Sequence, residues 1–435
     1  MSKRFLHISD IHIGITLCGM DLTDDLRHIL LTEIAENVLD RAEKEKHVDG
    51  IIAAGDIFDR ETPSAEAEAL WGEFLGKMYS RGVKVYCTSG NHDSAVRLAS
   101  LESVIAPAHL YIPKPFSRSS PYRVERLDEV DIVMLPYITM SMVKAEFPEA
   151  AENIKSTAEA VKYVLDMARQ EPGAQDRPHI LAAHQAVGAA VGREAGAQQM
   201  IPPSVFEGFA YTALGHFHSG SNPCGAENVR YCGSPLCFSQ NEANRSLDAA
   251  SPVFVEQTGG SVLEGITEKA VDVIDIADDG SVSVSHIPLA PKRRVIAVRG
   301  TYEDIMAYYS GRDTAGDYFY IVLTSSDVPG DFDIQLRKKF PLNLSVRVDE
   351  ERGAANSAGQ FGFEVREDSF RGDFAEFFRQ RTGGDIPDEV LSAAEYIFEL
   401  TKKASRDGTL NKLCDMYPAI SEDDEAEAQE NGGDV

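Results

Sequence analysis

Short apolar runs alternate with longer amphipathic segments through the first half of the chain. The runs RFLHIS, VDGIIAA and VKVYCTS predict buried strands, and VDIVMLPY, HILAAH and AYTALG predict three more. Residues 24–46 carry Leu26, Leu30, Ile34 and Val38 at four-residue spacing, which predicts a helix. Strands that alternate with helices in this way indicate an α/β layered fold.

The segment TPSAEAEALWGEFLGKMYSRG predicts a second helix between two of these strands. Thr62 is the candidate N-cap, Pro63 falls in the first turn, and Gly82 follows the end.

The pattern changes after about residue 240. Residues 241–271 show weak periodicity and predict a long loop or insertion. AVDVIDIADDGSVSVSHIPL predicts a hairpin that turns at Asp279 and Gly280. Strands at KRRVIAVRG, DYFYIVLTS and LNLSVRV, with helices at TYEDIMAYYS and near residues 331–339, indicate a small α+β module.

The C-terminal part predicts two helices within residues 367–405, each with an apolar stripe. Such stripes either pack on their own domain or dock into another protein as a helix in a groove. The final segment SEDDEAEAQENGGDV is acidic and predicts a disordered tail.

Composition indicates an ordinary globular protein of two or three domains, with 435 residues, 43% apolar and 26% charged. No long uncharged apolar run predicts a membrane span, and His7 and Asp10 interrupt any signal-like stretch at the start. We therefore expect a cytoplasmic protein. The six cysteines are scattered, and the spacing of Cys224, Cys232 and Cys237 fits no usual zinc pattern.

The formal net charge of −28 argues against a protein that simply coats DNA. It leaves DNA open as a substrate, because bound divalent cations or a basic partner can supply positive charge.

Polar side chains with ligand chemistry follow five of the predicted strands. In open α/β sheets, ligand sites gather beyond the carboxyl ends of the strands. Each short motif alone is weak, but five in succession predict a metal site. The candidate ligands are Asp10, His12, Asp56, Asn91, His184, His216 and His218.

Seven oxygen and imidazole ligands exceed the four that one tetrahedral zinc ion needs. They suit two ions that share a bridging carboxylate, and manganese or iron better than calcium. Paired ions are a recurring device for phosphate-ester cleavage. His92 adjoins a candidate ligand and is suited to deliver a proton, whereas Asp93 is better explained as a capping or ion-pairing residue.

The ordered motifs D-x-H, G-D-x-x-D, G-N-H-D, a lone His and G-H-x-H resemble the calcineurin-like metallophosphoesterases. AGDIFDRETPS, SGNHDSAVRL, FAYTALGHFH and RYCGSPLCFS are similar to the SbcD family of DNA nuclease subunits. The resemblance is strong over residues 3–240. It continues more weakly through HIPLAPKRRVIAVRG, which resembles the start of that family's capping domain.

This resemblance implies an α/β fold: a two-sheet sandwich flanked by helices, with a small α+β capping domain and C-terminal helices. The expected divisions are residues 1–290 for the nuclease domain, 291–365 for a DNA-binding capping domain, 366–415 for helices that dock to the SbcC-type ATPase, and 416–435 for the tail.

The resemblance also implies roles for individual residues. Asp10, His12 and His218 would hold one metal ion, and Asn91, His184 and His216 the other, with Asp56 bridging. His92 matches the catalytic histidine. Asp59 matches a position where related phosphatases place a carboxylate that orients this histidine, and its alternative is a surface or helix-capping residue.

The implied activity is Mn²⁺-dependent cleavage of DNA, as an exonuclease on duplex ends and an endonuclease on single strands and hairpins. The implied assembly is a homodimer within a heterotetramer that contains two SbcC-type ATPase subunits. The chain departs from the family at Ile11, where Trp is usual, and in the segment ITLCGMDLTDD. Candidate DNA contacts, each also explicable as solvated surface charge, are Arg60, Arg97, Lys292, Arg293 and Arg294.

Two other functions compete with the nuclease. A small-substrate phosphodiesterase or phosphatase of the same superfamily would need neither a capping module nor C-terminal helices. Purple acid phosphatases carry a tyrosine ligand where Asp59 stands, which disfavours that branch. A non-catalytic scaffold would not need all seven ligand types together with His92.

Overall fold

The computed structural model describes residues 2–105, 109–127, 129–171, 177–188, 200–325 and 327–348, together with Leu391. The predicted C-terminal helices and the acidic tail lie outside these residues, apart from that single position.

Eighteen strands are present in the described residues. The first nine are β1 Lys3–Ile8, β2 Thr16–Leu17, β3 Met20–Asp21, β4 Gly50–Ala54, β5 Lys84–Thr88, β6 Leu110–Tyr111, β7 Arg123–Arg126, β8 Asp131–Met134 and β9 His179–His184. The others are β10 Tyr211–Gly215, β11 Val229–Tyr231, β12 Val253–Val255, β13 Gly260–Ile266, β14 Ala270–Ile276, β15 Val282–Pro288, β16 Val295–Gly300, β17 Tyr318–Leu323 and β18 Asn343–Val348.

The helices lie between these strands as the alternating pattern predicts. They are α1 Thr23–His28, a π-helical continuation Ile29–Val38, α2 Leu39–Glu43, α3 Ala65–Ser80, α4 Ala95–Ile105, α5 Met140–Glu146, α6 Thr157–Arg169, α7 Gln240–Asp248, α8 Tyr302–Tyr308 and α9 Phe332–Lys339. Short 3₁₀ turns occupy Pro203–Phe206 and Pro223–Gly225.

Two sheets form a sandwich. The first has the order β15-β14-β1-β4-β5-β6, and the second has the order β11-β10-β9-β8-β7. Strands β1, β4, β5 and β6 run parallel, as do β8 to β11, while β14, β15 and β7 join in antiparallel register. The parallel strands therefore end at common edges, where ligand sites gather.

Apolar side chains from both sheets meet in the middle of the sandwich. Phe5, Ile52 and Tyr86 from the first sheet pack with Ile180 and Tyr211 from the second, and all five are fully buried. Helices cover the outer faces, with α1 to α3 on the first sheet and α5 and α6 on the second. The α/β two-sheet sandwich flanked by helices is confirmed.

The predicted N-cap of α3 is wrong by two residues. Ser64, rather than Thr62, is the N-cap, because its hydroxyl accepts a hydrogen bond from the backbone N–H of Ala67. The predicted hairpin is confirmed, since β14 and β15 pair across a turn in which Gly280 has a φ of 79°.

The prediction of a long loop for residues 241–271 is wrong. This stretch contains most of α7, strands β12 and β13, and the start of β14. Its strands are short, and β13 pairs with β16, which lies about thirty residues further along the chain. Burial along these strands is also irregular, because Val255 and Val262 are buried while Val253 and Phe254 are exposed, so a local window shows little periodicity.

A third sheet, with the order β12-β13-β16-β17-β18, makes up the α+β module. One face packs with α8 and α9 around Ile305 and Phe340. The other contributes Ala297, Tyr318 and Tyr320 to the large core that the first sheet and its helices share. Part of this sheet thus precedes residue 291, where the predicted capping domain begins.

Candidate metal centre

The seven candidate ligands lie together at one edge of the sandwich. The ends of β1, β4 and β5 bring Asp10, Asp56 and Asn91 there from the first sheet. The ends of β9 and β10 bring His184 and His216 from the second. Among the described residues, every cluster of three or more metal-ligating side chains lies at this edge.

Close contacts join all seven residues in an unbroken series. Nε2 of His218 lies 3.2 Å from Nε2 of His12, which lies 3.6 Å from Oδ2 of Asp56. That carboxylate oxygen lies 3.2 Å from Nε2 of His184. Asp56 is therefore placed between the two predicted ligand groups, as a bridging carboxylate would be.

The remaining contacts join Asn91, His184 and His216, which form the second predicted ligand group. Oδ1 of Asn91 lies 3.2 Å from Nε2 of His184 and 3.0 Å from Nδ1 of His216. The backbone N–H of His216 donates to Oδ1 of Asp10 at 2.9 Å, which ties the two groups together. The Ser9 hydroxyl also donates to Asp10.

The backbone at this edge adopts conformations that most residues avoid. Asp10, His12 and Asp56 each have a φ of 50°, and His216 has a φ of 113°. Left-handed backbone is uncommon for residues other than glycine and costs free energy, so it persists where surrounding structure holds it. Four of the seven candidate ligands carry this cost, which is typical of functional sites.

Glycines allow the chains to approach the ligands closely. A Cβ at Gly90 would lie 2.0 Å from Oδ1 of Asp56, and one at Gly215 would lie 2.0 Å from the Ala54 carbonyl oxygen. Gly55 has a φ of 85°, and a Cβ there would lie 2.5 Å from Nδ1 of His184. Each of these positions therefore requires a residue without a side chain.

Burial and local charge set the protonation of the ligands. Burial lowers the pKa of His12 to about 3 and that of His216 to about 4, so both rings are neutral at pH 7 and free to bind a metal. Burial also acts to lower the pKa of His184, but the neighbouring carboxylates of Asp56 and Asp10 raise it to about 9. Despite burial, His184 and His12 hold the pKa of Asp56 below its ordinary value.

The donor set fits divalent metal ions. Two imidazole nitrogens of the same type face each other at 3.2 Å in the His12–His218 pair, and Nδ1 of His12 is buried without a hydrogen-bond partner. In their neutral forms, both rings can direct a nitrogen lone pair to a cation bound between them. Carboxylate, amide and imidazole ligands suit manganese or iron.

His92 is exposed beside this cluster, with its backbone N–H donating to Oδ1 of Asp56 at 2.9 Å. Nδ1 of His92 lies 2.9 Å from the carbonyl oxygen of Asp59. The Asp59 carboxylate instead lies 3.7 Å from Nδ1 of His12 and 3.7 Å from Arg60. The main chain of Asp59, rather than its side chain, thus holds the His92 ring.

Asp93 has a role that short motifs did not reveal. Its buried carboxylate accepts hydrogen bonds from the backbone N–H groups of Gly90, Ile57 and Phe58 at 2.9, 3.2 and 2.9 Å. Burial raises its pKa to about 6. Asp93 therefore joins the loop after β4 to the loop after β5.

The five basic candidates for DNA contact all lie beside carboxylates. Arg293 donates to the buried Asp25 at 2.8 Å, and Arg294 pairs with Asp317 at 2.6 Å. The others pair over longer distances: Arg60 with Asp59, Arg97 with Glu68 and Lys292 with Asp24. Their positive charge is partly neutralised within the protein, and Arg293 has a structural role.

Comparisons with known proteins show what this chain is similar to. The family model for calcineurin-like phosphoesterase matches residues 3–220. The chain is 25% identical over 358 residues to the D subunit of the nuclease SbcCD of Staphylococcus epidermidis, covering 79% of this chain and 84% of that protein. Among solved structures, the crystal structure of TT1561 of Thermus thermophilus matches 66% of this chain and 99% of its own, at 11% identity and a TM-score of 0.36.

Among the described residues, no helix combines the length and the apolar character needed to cross a membrane. The similarity to a component of the SbcCD nuclease confirms the resemblance to SbcD proteins that the sequence motifs indicated. With a family model that spans half of its residues, the chain belongs to the calcineurin-like phosphoesterase family.

Proposed function

We propose that the protein is the nuclease subunit of an SbcCD-type complex and hydrolyses phosphodiester bonds in DNA. The observation that carries this proposal is the convergence of seven oxygen and nitrogen ligands beside an exposed histidine at one edge of the sandwich. The similarity to the D subunit of the nuclease SbcCD over most of the chain supports DNA as the substrate.

Two divalent ions, of which Mn²⁺ suits the ligands best, would occupy the site. Asp10, His12 and His218 would hold one ion, Asn91, His184 and His216 the other, and Asp56 would contact both. When bound, the ions supply positive charge for the phosphate oxygens and make a water molecule more acidic.

His92 would deliver a proton to the leaving oxygen. Because the Asp59 carbonyl can only accept a hydrogen bond, Nδ1 of His92 must carry a proton. A proton delivered to the leaving oxygen would therefore come from Nε2, the ring atom opposite the Asp59 contact, when the ring is a doubly protonated imidazolium. Asp59 fixes both the tautomer and the direction of the ring through its main chain.

The nuclease would act in DNA repair and recombination in the cytoplasm, on duplex ends, hairpins and single strands. An SbcC-type ATPase is the expected partner within a heterotetramer. The helices proposed to bind it, residues 366–415, lie outside the described part of the chain, apart from Leu391. An acidic protein whose candidate DNA contacts are ion-paired gains affinity from bound metal ions and from its partner.

A nuclease assay tests the proposal. The protein, alone and with an SbcC-type ATPase and ATP, is incubated with linear duplex DNA and with bis(p-nitrophenyl) phosphate in Mn²⁺, Mg²⁺ or Zn²⁺. We expect Mn²⁺-dependent degradation of DNA that the partner strengthens. Intact DNA alongside rapid hydrolysis of the small diester would instead identify a small-substrate phosphodiesterase.

A further inference from the structure

Lys269 makes a buried connection to one side of the metal centre. It follows β13 of the third sheet and directly precedes β14 of the first sheet. Its side chain is only 9% exposed, and Nζ donates to the carbonyl oxygen of His218 at 2.7 Å. Nζ also donates to the hydroxyl of Ser234 at 3.0 Å and pairs with the carboxylate of Glu242.

Two donors converge on the His218 carbonyl. Besides Lys269, the backbone N–H of Ser234 donates to it at 3.1 Å, while the Ser234 hydroxyl donates to the carbonyl oxygen of Leu236 at 2.6 Å. A Cβ at Gly233 would lie 2.7 Å from the same oxygen, so the approach requires glycine. The main chain of His218 is thus held from behind, on the side away from its ring.

Glu242, the ion-pair partner of Lys269, also contacts Phe238. Its second carboxylate oxygen accepts the backbone N–H of Phe238 at 3.2 Å. The Phe238 ring lies edge-on to the rings of both His12 and His218, with centroids 5.7 and 5.6 Å away. One buried ion pair therefore supports both histidines of the Asp10–His12–His218 group.

We infer that Lys269 and Glu242 are positioning residues that hold His218 and Phe238, and through them one of the two metal-binding groups. The inference rests on the proposed function, because it assumes that this group holds a metal ion. None of these contacts joins Lys269 or Glu242 to the other group, which consists of Asn91, His184 and His216.

Stability alone gives a weak reason for this ion pair. Desolvation of two buried charges often cancels their attraction, so apolar replacements are frequently neutral for stability. Residues that orient metal ligands, in contrast, commonly change metal affinity by ~10–100-fold when they are replaced. Because Glu242 lies in α7, which packs on β13 and β16, the pair also connects the third sheet to the metal centre.

The test measures Mn²⁺ binding to the full chain by electron paramagnetic resonance of free Mn²⁺, with melting of the metal-free protein as a second readout. Lys269→Arg keeps the charge, but its planar group does not reproduce the ammonium contacts. Lys269→Met combined with Glu242→Gln removes both charges and keeps an acceptor for Phe238. Lys46→Met is the matched control, because it removes an ion pair with Asp275 at the opposite end of β1.

We expect both Lys269 variants to bind one Mn²⁺ with wild-type affinity and the other ~10–100-fold more weakly. The Lys46 variant should bind both ions as the wild type does. Wild-type affinity at both sites in either Lys269 variant, or equal weakening of both sites, would overturn the inference. A wild-type protein that binds no pair of Mn²⁺ ions would instead overturn the proposed function.

Discussion

Strand β1 has two ends that differ in how their polar groups are satisfied. At its start, Arg4 donates to both oxygens of Asp275 at 2.9 and 2.6 Å and to the Ala42 carbonyl at 2.7 Å. Beyond its other end, Asp10 and His12 have left-handed backbone, and Nε2 of His12 faces Nε2 of His218 at 3.2 Å. The polar groups at the start of the strand are thus paired within the protein, while those beyond its other end are candidate ligands of the proposed metal ions.

In β1, the residues that stabilise the fold lie at one end, and the residues proposed to bind metal ions lie beyond the other. The ion pairs at the start of β1 stabilise the fold whether or not a ligand is bound. The left-handed backbone beyond its other end costs free energy, and under the proposed function the binding of metal ions would recover that cost. Substitutions at the two ends should therefore have opposite profiles of activity and stability.

The largest effect is expected for Asp56→Asn. Losing the carboxylate between the two ligand groups should lower DNA cleavage on the order of 10³-fold, the scale seen when a group that stabilises transition-state charge is removed. Melting of the metal-free protein should stay close to that of the wild type. DNA cleavage assays measure the loss of activity, and calorimetry measures melting of the metal-free protein. Full activity in Asp56→Asn would contradict the distinction between the two ends of β1.

A smaller loss is expected for Gly90→Ala. The new Cβ would meet Oδ1 of Asp56 at 2.0 Å, so the loop or the carboxylate must shift. A displacement of about 1 Å at a reacting centre can cost ~10²-fold in rate. Gly72→Ala is the matched control, because a Cβ in that helix has open space and should stabilise it by ~0.5–1 kcal/mol.

Arg4→Met tests the other end of the strand. Removal of the bidentate pair with Asp275 should lower the free energy of unfolding by about 2 kcal/mol, less than two fully buried charged hydrogen bonds would contribute, because the Asp275 side chain is partly exposed. Cleavage per folded molecule should not change. Denaturant titration combined with activity measurement checks this, and a loss of activity at unchanged stability would argue that the two ends are coupled.

The smallest effect concerns pH and His7, which lies inside β1 between the two ends. Burial lowers its pKa from 6.5 to about 4. Its stabilising contribution is therefore complete above about pH 6.5 and is lost as the pH falls toward 4. His7→Phe should remove this dependence, a difference of about 1–2 kcal/mol at pH 5. The free energies of unfolding of the wild type and of His7→Phe, measured at pH 7 and pH 5, check this. An equal change with pH in both proteins would show that His7 is not responsible.

Sequence patterns predicted the parallel strands well, and they also predicted which polar residues meet at one edge of the sandwich, because each candidate ligand follows a short apolar run. Asp10, Asp56 and His184 stand where buried strands end, and the strand order needs no further information to bring them to one edge. The third sheet was harder, since Ile266 in β13 pairs with Ile296 in β16, which lies 30 positions further along the chain.

Contacts made through the main chain were invisible to motif reasoning. Asp59 contacts the His92 ring through its carbonyl oxygen, and the Asp93 carboxylate accepts hydrogen bonds from three backbone N–H groups. The short motifs give only the residue types and reveal neither contact. Lys269 lies 51 positions from His218 and belongs to no motif. Such contacts depend on where loops fold back, which local periodicity does not encode.

The most direct test of the account is a crystal structure with Mn²⁺, using anomalous scattering at the manganese edge. The account predicts two anomalous peaks at the edge of the sandwich. One should contact Asp10, His12 and His218, the other should contact Asn91, His184 and His216, and Asp56 should touch both. A single peak, or a pair of peaks away from Asp56, would contradict it.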